Sequence, residues 1–273
     1  RLPVSLPEDV AESARSLGPE TAWARCVETA ISRQVEAVLL AGDVVDRERD
    51  FFAGYATLKA GIEKLLEHDI RVLAVVGNHD TEVLPRLAEA LPGLKLLGRG
   101  GVWESVTLTA GAVIGWSFPS RRVTHSPLET FPDAPPPRPC LGLLHCDRDQ
   151  SKSPYAPVQT SELSAAPIDA WLLGHVHQPD LSGGPRPIGD PGSVSALRAS
   201  ETGHRGPWLL EILDGDVHAS QIALAPLAYD ALDLDVSELE NVADLDSIIL
   251  NAGKQQVARR IETGALPDAL GLR

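Results

Sequence analysis

The sequence predicts an α/β fold, in which buried strands alternate with helices along one chain. Its apolar runs are strand-sized, as over residues 36–42, and helical periodicity follows several of them. Polar clusters come directly after these runs, which is where α/β proteins place their active sites. The length of 273 residues suits one α/β domain with an appendage. Hydrophobic residues at 43% and charged residues at 23% are ordinary for a globular chain, so disorder, collagen and coiled coil are excluded for most of it.

Apolar periodicity and chain-breaking residues give the predicted elements in order. Helical spacing predicts helices over residues 8–17, 20–35, 51–67, 82–91 and 243–262. Strand-like runs are at 37–41, 71–76, 102–108, 112–116, 140–145, 170–173, 207–213 and 217–224. The helix over 51–67 is typical, because Leu58, Ile62 and Leu65 recur on one side. Asp214-Gly215 indicates a hairpin turn, and five prolines in 131–140 indicate an extended surface loop.

The charge balance is strongly acidic. The chain has 24 Lys and Arg against 38 Asp and Glu, a net charge of −14 with a pI near 4.9. Such a chain does not coat DNA or an anionic membrane nonspecifically, so metal ions or a local basic patch must hold a polyanionic substrate. No apolar run approaches the roughly 20 residues that span a bilayer, so we expect no membrane insertion. Three cysteines are too few for a disulfide framework and favour a reducing cytoplasm.

Four polar clusters follow the strand-like runs. They occupy residues 42–47, 77–80, 143–145 and 174–177. Together they offer a carboxylate, an amide oxygen and several imidazoles, a mixture that suits Mn, Fe or Zn better than Mg or Ca. Two such ions about 4 Å apart can hold the attacking and leaving oxygens of a phosphoryl displacement. Each cluster alone could be a turn, a core histidine or a surface ion pair, so the prediction depends on their order.

This order resembles the signature of the calcineurin-like metallophosphoesterases, which runs D-x-H, G-D-x-x-D-R, G-N-H-D/E, H and G-H-x-H. All blocks but the first have a counterpart in this chain. The resemblance implies a four-layer α/β sandwich, in which two facing mixed β-sheets are flanked by helices and a two-metal site lies at one edge. It also implies a metal-dependent phosphodiester hydrolase with two divalent ions, Mn preferred and Fe or Zn also suitable.

The resemblance further implies a role for each matching residue. Asp43 would bridge both metals, and His177 would bind the first metal. The ligands of the second metal would be Asn78, His145 and His175. His79 would face the scissile phosphate, stabilising its charge or protonating the leaving oxygen, and Asp80 would orient His79. The residues that support the first ligand loop from behind would be Asp46 and Arg47.

Further segments resemble one branch of this family, the SbcD-type DNA repair exonucleases. They are Leu6-Pro-Glu-Asp-Val10, Ser153-Pro-Tyr155-Ala-Pro157, residues 169–178 and residues 191–203. The branch implies a Mn-dependent DNA exonuclease or endonuclease subunit in DNA repair. It also implies an SbcC-type ATPase as partner. Whether the chain also forms a homodimer is left open by the sequence. The loop residues that would contact DNA are Arg121, Arg122, Arg148, Tyr155 and Arg198, although solvated loop charges have the same pattern.

The pattern changes near Ala225. Residues 1–225 are expected to form the metallophosphoesterase domain, and residues 226–273 are expected to begin a C-terminal cap, first with an extended segment over 227–236. The D-x-H block, which supplies two ligands in the family, is absent, and the chain has no methionine even at position 1. We therefore expect the first strand and its D-x-H block to lie upstream of Arg1.

Three other functions stay open at this point. A small-molecule nucleotide phosphodiesterase would use the same fold, although compact members of that group end near Ala225. A noncatalytic binding module is the alternative if the D-x-H block is truly absent. A protein phosphatase is disfavoured by the nuclease-like segment 191–203.

Overall fold

The structure is a computed structural model, and it describes residues 14–45, 51–134, 136–181, 184–237, 239 and 241–273. Its α-helices are α1 (Pro19–Ser32), α2 (Phe51–Leu66), α3 (Val83–Ala90), α4 (Thr160–Ala165) and α5 (Leu245–Glu262). Short 3-10 helices span Ala14–Leu17, Pro127–Thr130 and Val242–Asp244. The strands are β1 (Ala37–Leu40), β2 (Arg71–Ala74), β3 (Leu94–Leu96), β4 (Trp103–Thr107), β5 (Ala112–Trp116), β6 (Cys140–His145), β7 (Asp147–Arg148), β8 (Pro157–Val158), β9 (Ala170–Gly174), β10 (Ile188–Gly189), β11 (Trp208–Leu213), β12 (Asp216–Gln221), β13 (Leu227–Asp230) and β14 (Ala269–Leu272).

Most predicted elements are present, with shifts of a few residues at their ends. The predicted helix over 8–17 lies mainly outside the described residues, and its last four positions form a 3-10 helix. Of the extended segment predicted over 227–236, only β13 is a strand. The sequence pattern missed α4, β3, β7, β8, β10 and β14, because elements of two to six residues are too short to show a period.

The chain divides into two compact units, which are described separately. The larger unit comprises Val27–Gly192 and Trp208–Ser220. Its smaller sheet has the order β1-β2-β3 and pairs only in parallel among the described strands. Its larger sheet has the order β10-β9-β6-β5-β4 and is mixed, because β4 runs antiparallel to β5. The two sheets enclose an apolar core that includes Leu73, Val75, Leu97, Leu143 and Leu172.

Alternation along β9 shows how the sequence builds two apolar layers from one strand. Ala170 and Leu172 belong to the core shared with the smaller sheet, whereas Trp171 and Leu173 belong to the core on the opposite face. Gly142 makes room for this packing, because a Cβ at that position would collide with the Trp171 ring. Helices α2 and α3 pack on the smaller sheet, and α4 packs at β10 of the larger one. This layering confirms the predicted α/β fold with sheets flanked by helices.

The smaller unit comprises the described part of residues 1–26 together with Ser193–Pro207 and Gln221–Arg273. In it, β13 pairs in parallel with β14, with Leu227 opposite Ala269. Its apolar core consists of Leu17, Ala196, Leu227 and Tyr229, with Ala269 packed against them. The predicted boundary after Ala225 and the C-terminal cap stay predictions.

Helix length bears on membrane association. Among the residues that the structure describes, no helix combines the length and the apolar character needed to cross a lipid bilayer. The longest helix, α5, carries Lys254, Arg259 and Arg260 along its length.

Candidate metal centre

The candidate functional side chains follow the carboxyl ends of four strands. Asp43 comes three residues after β1, and residues 77–80 come after β2. His145 is the last residue of β6, and His175 directly follows β9. β1 and β2 are parallel neighbours, and so are β6 and β9, in which His145 lies opposite Gly174. Parallel strands present their carboxyl ends at one edge of a sheet, so this topology brings the four loops together.

Unusual backbone conformations shape the ligand loops. Asp43 has a φ of 52° and His175 a φ of 106°, in the left-handed region that side chains other than glycine rarely adopt. Gly42, with a φ of 86°, approaches two other loops closely. A Cβ at Gly42 would lie 2.7 Å from Nδ1 of His145 and 2.8 Å from the backbone nitrogen of Gly77. Such conformations persist where the surroundings enforce them, and they concentrate at functional sites.

The amide oxygen of Asn78 lies at the centre of a cluster of possible metal ligands. Asn78 Oδ1 is 2.9 Å from Nε2 of His145 and 3.2 Å from Nδ1 of His175. Nε2 of His145 is also 3.4 Å from Oδ2 of Asp43. Asp43, His145 and His175 each offer a ligand atom, and these three atoms lie within 4.8 Å of one another. The structure thus brings together Asp43 and the three predicted ligands of the second metal.

The chemistry of these donors fits a divalent cation. His145 is fully buried, and its Nδ1 donates a hydrogen bond of 2.9 Å to the carbonyl oxygen of Ala41, since a carbonyl can only accept. In the neutral form of the ring, Nε2 carries a lone pair that is directed at the oxygens of Asn78 and Asp43. These lone pairs repel one another unless a proton or a cation lies between them. A histidine held by a backbone carbonyl is also the usual form of a metal ligand, so the residues present fit Mn, Fe or Zn.

The electrostatics of the cluster favour an ionised carboxylate beside imidazoles. Burial raises the pKa of Asp43, but the hydrogen bonds and charges of His145 and His79 together outweigh burial and leave that pKa below its usual value. Burial lowers the pKa of His145, but the hydrogen bonds with Asp43 and Ala41, together with the charges of Asp43 and Asp80, outweigh burial and leave that pKa raised. Burial and the neighbouring His145 lower the pKa of His175. His175 is therefore neutral near pH 7, which is the form that binds metals.

Asp80 ties two ligand loops together. Its Oδ1 accepts a 2.8 Å hydrogen bond from the backbone N–H of Gly77, and its Oδ2 accepts one of 2.7 Å from that of Val44. The carboxylate is fully buried. Burial, together with the charge of Asp43, raises the pKa of Asp80 to about 6. The predicted role of Asp80 in orienting the ring of His79 stays a prediction.

Three further predicted roles also stay predictions. His79 is exposed, and its backbone N–H donates a 2.9 Å hydrogen bond to Oδ1 of Asp43. His177 is exposed two residues after His175, and its role as a ligand of the first metal depends on the side chains that would complete that site. The predicted supporting pair, Asp46 and Arg47, lies outside the described residues.

Two side chains extend the cluster around His175. The ring of Tyr155 lies 5.2 Å from the His175 ring at an angle of 41°. Oδ2 of Asp147 lies 4.0 Å from Nε2 of His175. The sequence analysis missed Asp147 because it belongs to none of the four polar clusters. Its position two residues after His145 was the available signal, since β6 and β9 are paired.

The predicted DNA-contacting arginines differ in their surroundings. Arg148 forms an ion pair with Asp180 and lies 3.6 Å from Asp190. Its charge is therefore balanced by carboxylates of its own chain, which weakens the predicted contact with DNA. Arg121 is exposed and lies 3.7 Å from Glu82. The other two arginines are exposed, namely Arg122 in the larger unit and Arg198 in the smaller one.

Comparisons with known proteins agree with a metal-dependent phosphoesterase. The chain is 25% identical over 268 residues to the uncharacterized metallophosphoesterase YhaO of Bacillus subtilis (strain 168), and the match covers 89% of this chain and 64% of that protein. The chain thus spans less than two thirds of the length of this curated relative. A solved crystal structure has a TM-score of 0.43 to this chain at 12% identity, and the match covers 78% of this chain and 94% of that one, so the likeness in fold is weak. The family model of the calcineurin-like phosphoesterases matches residues 17–179, which include all four polar clusters, and the chain therefore belongs to this family.

Proposed function

We propose that this chain is a DNA nuclease subunit of the SbcD type that acts in DNA repair, with two divalent metal ions, Mn preferred. The observation that carries the catalytic part is the convergence of Asp43, Asn78, His145 and His175 at the ends of parallel strands. The choice of DNA is supported by the segments 153–157 and 191–203, which resemble the exonuclease branch.

The proposed chemistry assigns one task to each part of the site. When bound, the metal ions would polarise the phosphate and activate a water for in-line attack. The residues that would hold them are Asp43, Asn78, His145, His175 and His177, with the ring of His145 fixed by the carbonyl of Ala41. The exposed ring of His79, next to Asp43, would protonate the leaving oxygen. Asp80 would keep the loops of Asp43 and His79 in register through its two backbone hydrogen bonds.

The negative net charge limits how this chain would bind DNA. A net charge of −14 opposes a polyanion, and Arg148 is already paired with carboxylates. We therefore propose that the metals hold the scissile strand and that an SbcC-type ATPase partner supplies much of the remaining binding. Binding by this chain alone should then be weak and strongly salt-dependent. The free thiols Cys26, Cys140 and Cys146 support a reducing cytoplasm as the place of action.

A direct comparison of substrates tests this function. The natural full-length protein is incubated with Mn²⁺ and either linear duplex DNA, single-stranded DNA, cyclic nucleotides or bis-nucleotides, with and without the ATPase partner. We expect degradation of DNA in preference to the small nucleotides. His175→Ala serves as the variant that should lose all activities together, because it removes a proposed ligand.

The acidic charge favours one competing function, a small-molecule nucleotide phosphodiesterase, because a small substrate needs few cationic contacts. Efficient hydrolysis of a cyclic or bis-nucleotide, without DNA degradation even when the ATPase is present, would establish that function instead. Hydrolysis of neither class by a protein that binds metal would favour a noncatalytic binding module.

A further inference from the structure

Helix α2 begins with an aromatic cluster that the proposed hydrolysis does not use. Phe52 is 82% exposed, and its ring meets that of Phe51 edge-to-face, with centroids 5.4 Å apart. Phe51 in turn stacks on Tyr55, with centroids 6.4 Å apart and the ring planes 16° from parallel. The guanidinium of Arg86, on α3, lies 4.8 Å from the centroid of the Phe51 ring. These four residues are named the aromatic platform.

The platform differs from an ordinary exposed hydrophobic residue. Single apolar side chains on a surface are common and need no explanation. Here, however, the exposed ring of Phe52 rests on a second ring, which is fixed by a third ring and by a cation–π contact from Arg86. Phe52 therefore presents an apolar ring to solvent on a support that is already ordered.

The platform joins two helices that both start next to the candidate metal centre. Gly54 of α2 lies against Val45, since a Cβ at Gly54 would be 3.1 Å from Cγ2 of Val45, and Val45 comes two residues after Asp43. Helix α3 starts at Val83, whose N–H donates a 3.1 Å hydrogen bond to the carbonyl of Asp80. Both helices are thus anchored to loops that carry Asp43 or His79, at the same edge of the sheet.

We infer that the aromatic platform stacks a base of a single-stranded DNA end beside the metal centre. This inference rests on the proposed function, and it specifies how that site would hold its substrate. Stacking on an aromatic ring needs no positive charge and tolerates any base, since every base has a π face. It therefore suits a chain with a net charge of −14, in which phosphate contacts are scarce. Arg86 helps to fix the Phe51 ring on which Phe52 rests.

A fluorescent base measures this stacking without relying on turnover. The natural full-length protein is titrated with Mn²⁺ into an oligonucleotide of about 10 nucleotides, a length within the usual range for such sites. The oligonucleotide has phosphorothioate linkages to slow cleavage and 2-aminopurine near its end. The same titration uses a matched oligonucleotide that is abasic at the end. The variants are Phe52→Ala and Phe52→Trp. Leu213→Ala is the control, because Leu213 is an apolar residue that is 56% exposed and belongs to β11 rather than to the platform.

We expect wild type to quench 2-aminopurine and Phe52→Ala to bind this oligonucleotide about 5-fold to 100-fold more weakly, the usual range for one stacked base. Phe52→Trp and Leu213→Ala should bind as wild type does, and the abasic oligonucleotide should bind wild type and Phe52→Ala equally. If wild type cleaves DNA but Phe52→Ala binds both oligonucleotides as wild type does, the stacking inference is wrong and the proposed function stands. An equal loss for both oligonucleotides also overturns the inference, because Phe52 then does not act on the base. If wild type neither binds nor cleaves DNA, the proposed function itself is wrong, and the platform must serve another partner, such as a protein.

Discussion

Oδ1 of Asp43 accepts a hydrogen bond of 2.9 Å from the backbone N–H of His79, so the candidate bridging ligand is joined to the candidate proton donor through the main chain. The side chain of His79 takes no part in this bond and is exposed. The two loops are also joined by Asp80, which accepts a hydrogen bond from Val44. Removing the His79 imidazole therefore leaves the contacts that hold Asp43 in place.

The first prediction concerns His79→Ala. We expect turnover to fall by about 10²- to 10⁴-fold, the usual contribution of one general acid, while metal content stays near that of wild type. Metal analysis after dialysis and initial rates on the best substrate measure the two quantities. His218→Ala, which changes an exposed histidine of β12, is the matched control and should alter neither. Loss of a full equivalent of metal from His79→Ala would instead make His79 a ligand.

The second prediction concerns the ligands themselves. His175→Ala removes the imidazole that lies 3.2 Å from Asn78 Oδ1, so we expect the loss of one metal equivalent together with activity. Its side chain is 21% exposed, and we expect the variant to stay folded. Metal analysis and circular dichroism on the same sample separate metal loss from unfolding. Wild-type metal content in a folded variant would remove His175 from the proposed site.

The third prediction isolates the close approach at Gly42. In Gly42→Ala, the new Cβ would meet Nδ1 of His145 at 2.7 Å, so the ligand loops must separate. Gly100→Ala is a matched control, because Gly100 also has a positive φ, 82° against 86°, but no atom lies within 4 Å of its added Cβ. We expect both variants to lose about 1 kcal/mol of unfolding free energy from backbone strain.

Gly42→Ala should lose about 1–3 kcal/mol more from overpacking, and metal affinity with it. Urea unfolding and metal titration measure these effects. Equal behaviour of the two variants would show that the contact between Gly42 and His145 does not shape the site.

In the larger unit, the bounds of a strand could be predicted from sequence where the strand is an uninterrupted apolar run. β5 and β6 have the predicted bounds, because residues buried on both faces form uninterrupted apolar runs ended by Gly or polar residues. β14 was missed, because its four residues have no periodic pattern and become a strand only by pairing with β13. Such pairing between distant segments is a tertiary effect that local sequence does not encode.

In the candidate site, too, some residues could be predicted from sequence, whereas others are brought together only by the fold. Asp43, Asn78, His145 and His175 could be grouped from sequence, because each follows an apolar run in a characteristic motif. Asp147 has no motif, and its distance of 4.0 Å from His175 arises only from the folded arrangement of the loops. The balanced charge of Arg148 could not be predicted either, since Asp180 lies 32 positions away along the chain.

The fourth prediction concerns the buried ion pair between Arg260 and Asp230 in the smaller unit, whose side chains are 4% and 8% exposed. Burial raises the pKa of Asp230, but the hydrogen bonds from Arg260 and Gln256 and the charges of Arg260 and His204 together outweigh burial and leave that pKa lowered. A lowered folded-state pKa means that this group stabilises the fold above the ordinary aspartate pKa of about 4. That stabilisation is lost as the pH falls through the folded-state value.

Arg260→Met leaves the Asp230 carboxylate buried without its cation, so we expect a loss of about 3–5 kcal/mol in unfolding free energy near neutral pH. Without the guanidinium, burial raises the pKa of Asp230, and the carboxyl takes up a proton on mild acidification. The difference between variant and wild type should therefore shrink as the pH falls from about 7 to about 4, because only the variant is relieved of a buried charge. Lys59→Met is the control, since the exposed pair of Lys59 with Glu63 should contribute little to stability at either pH. Urea unfolding at both pH values measures these differences. If the difference in unfolding free energy between Arg260→Met and wild type stays constant with pH, the lost stability comes from packing rather than from the unpaired charge of Asp230.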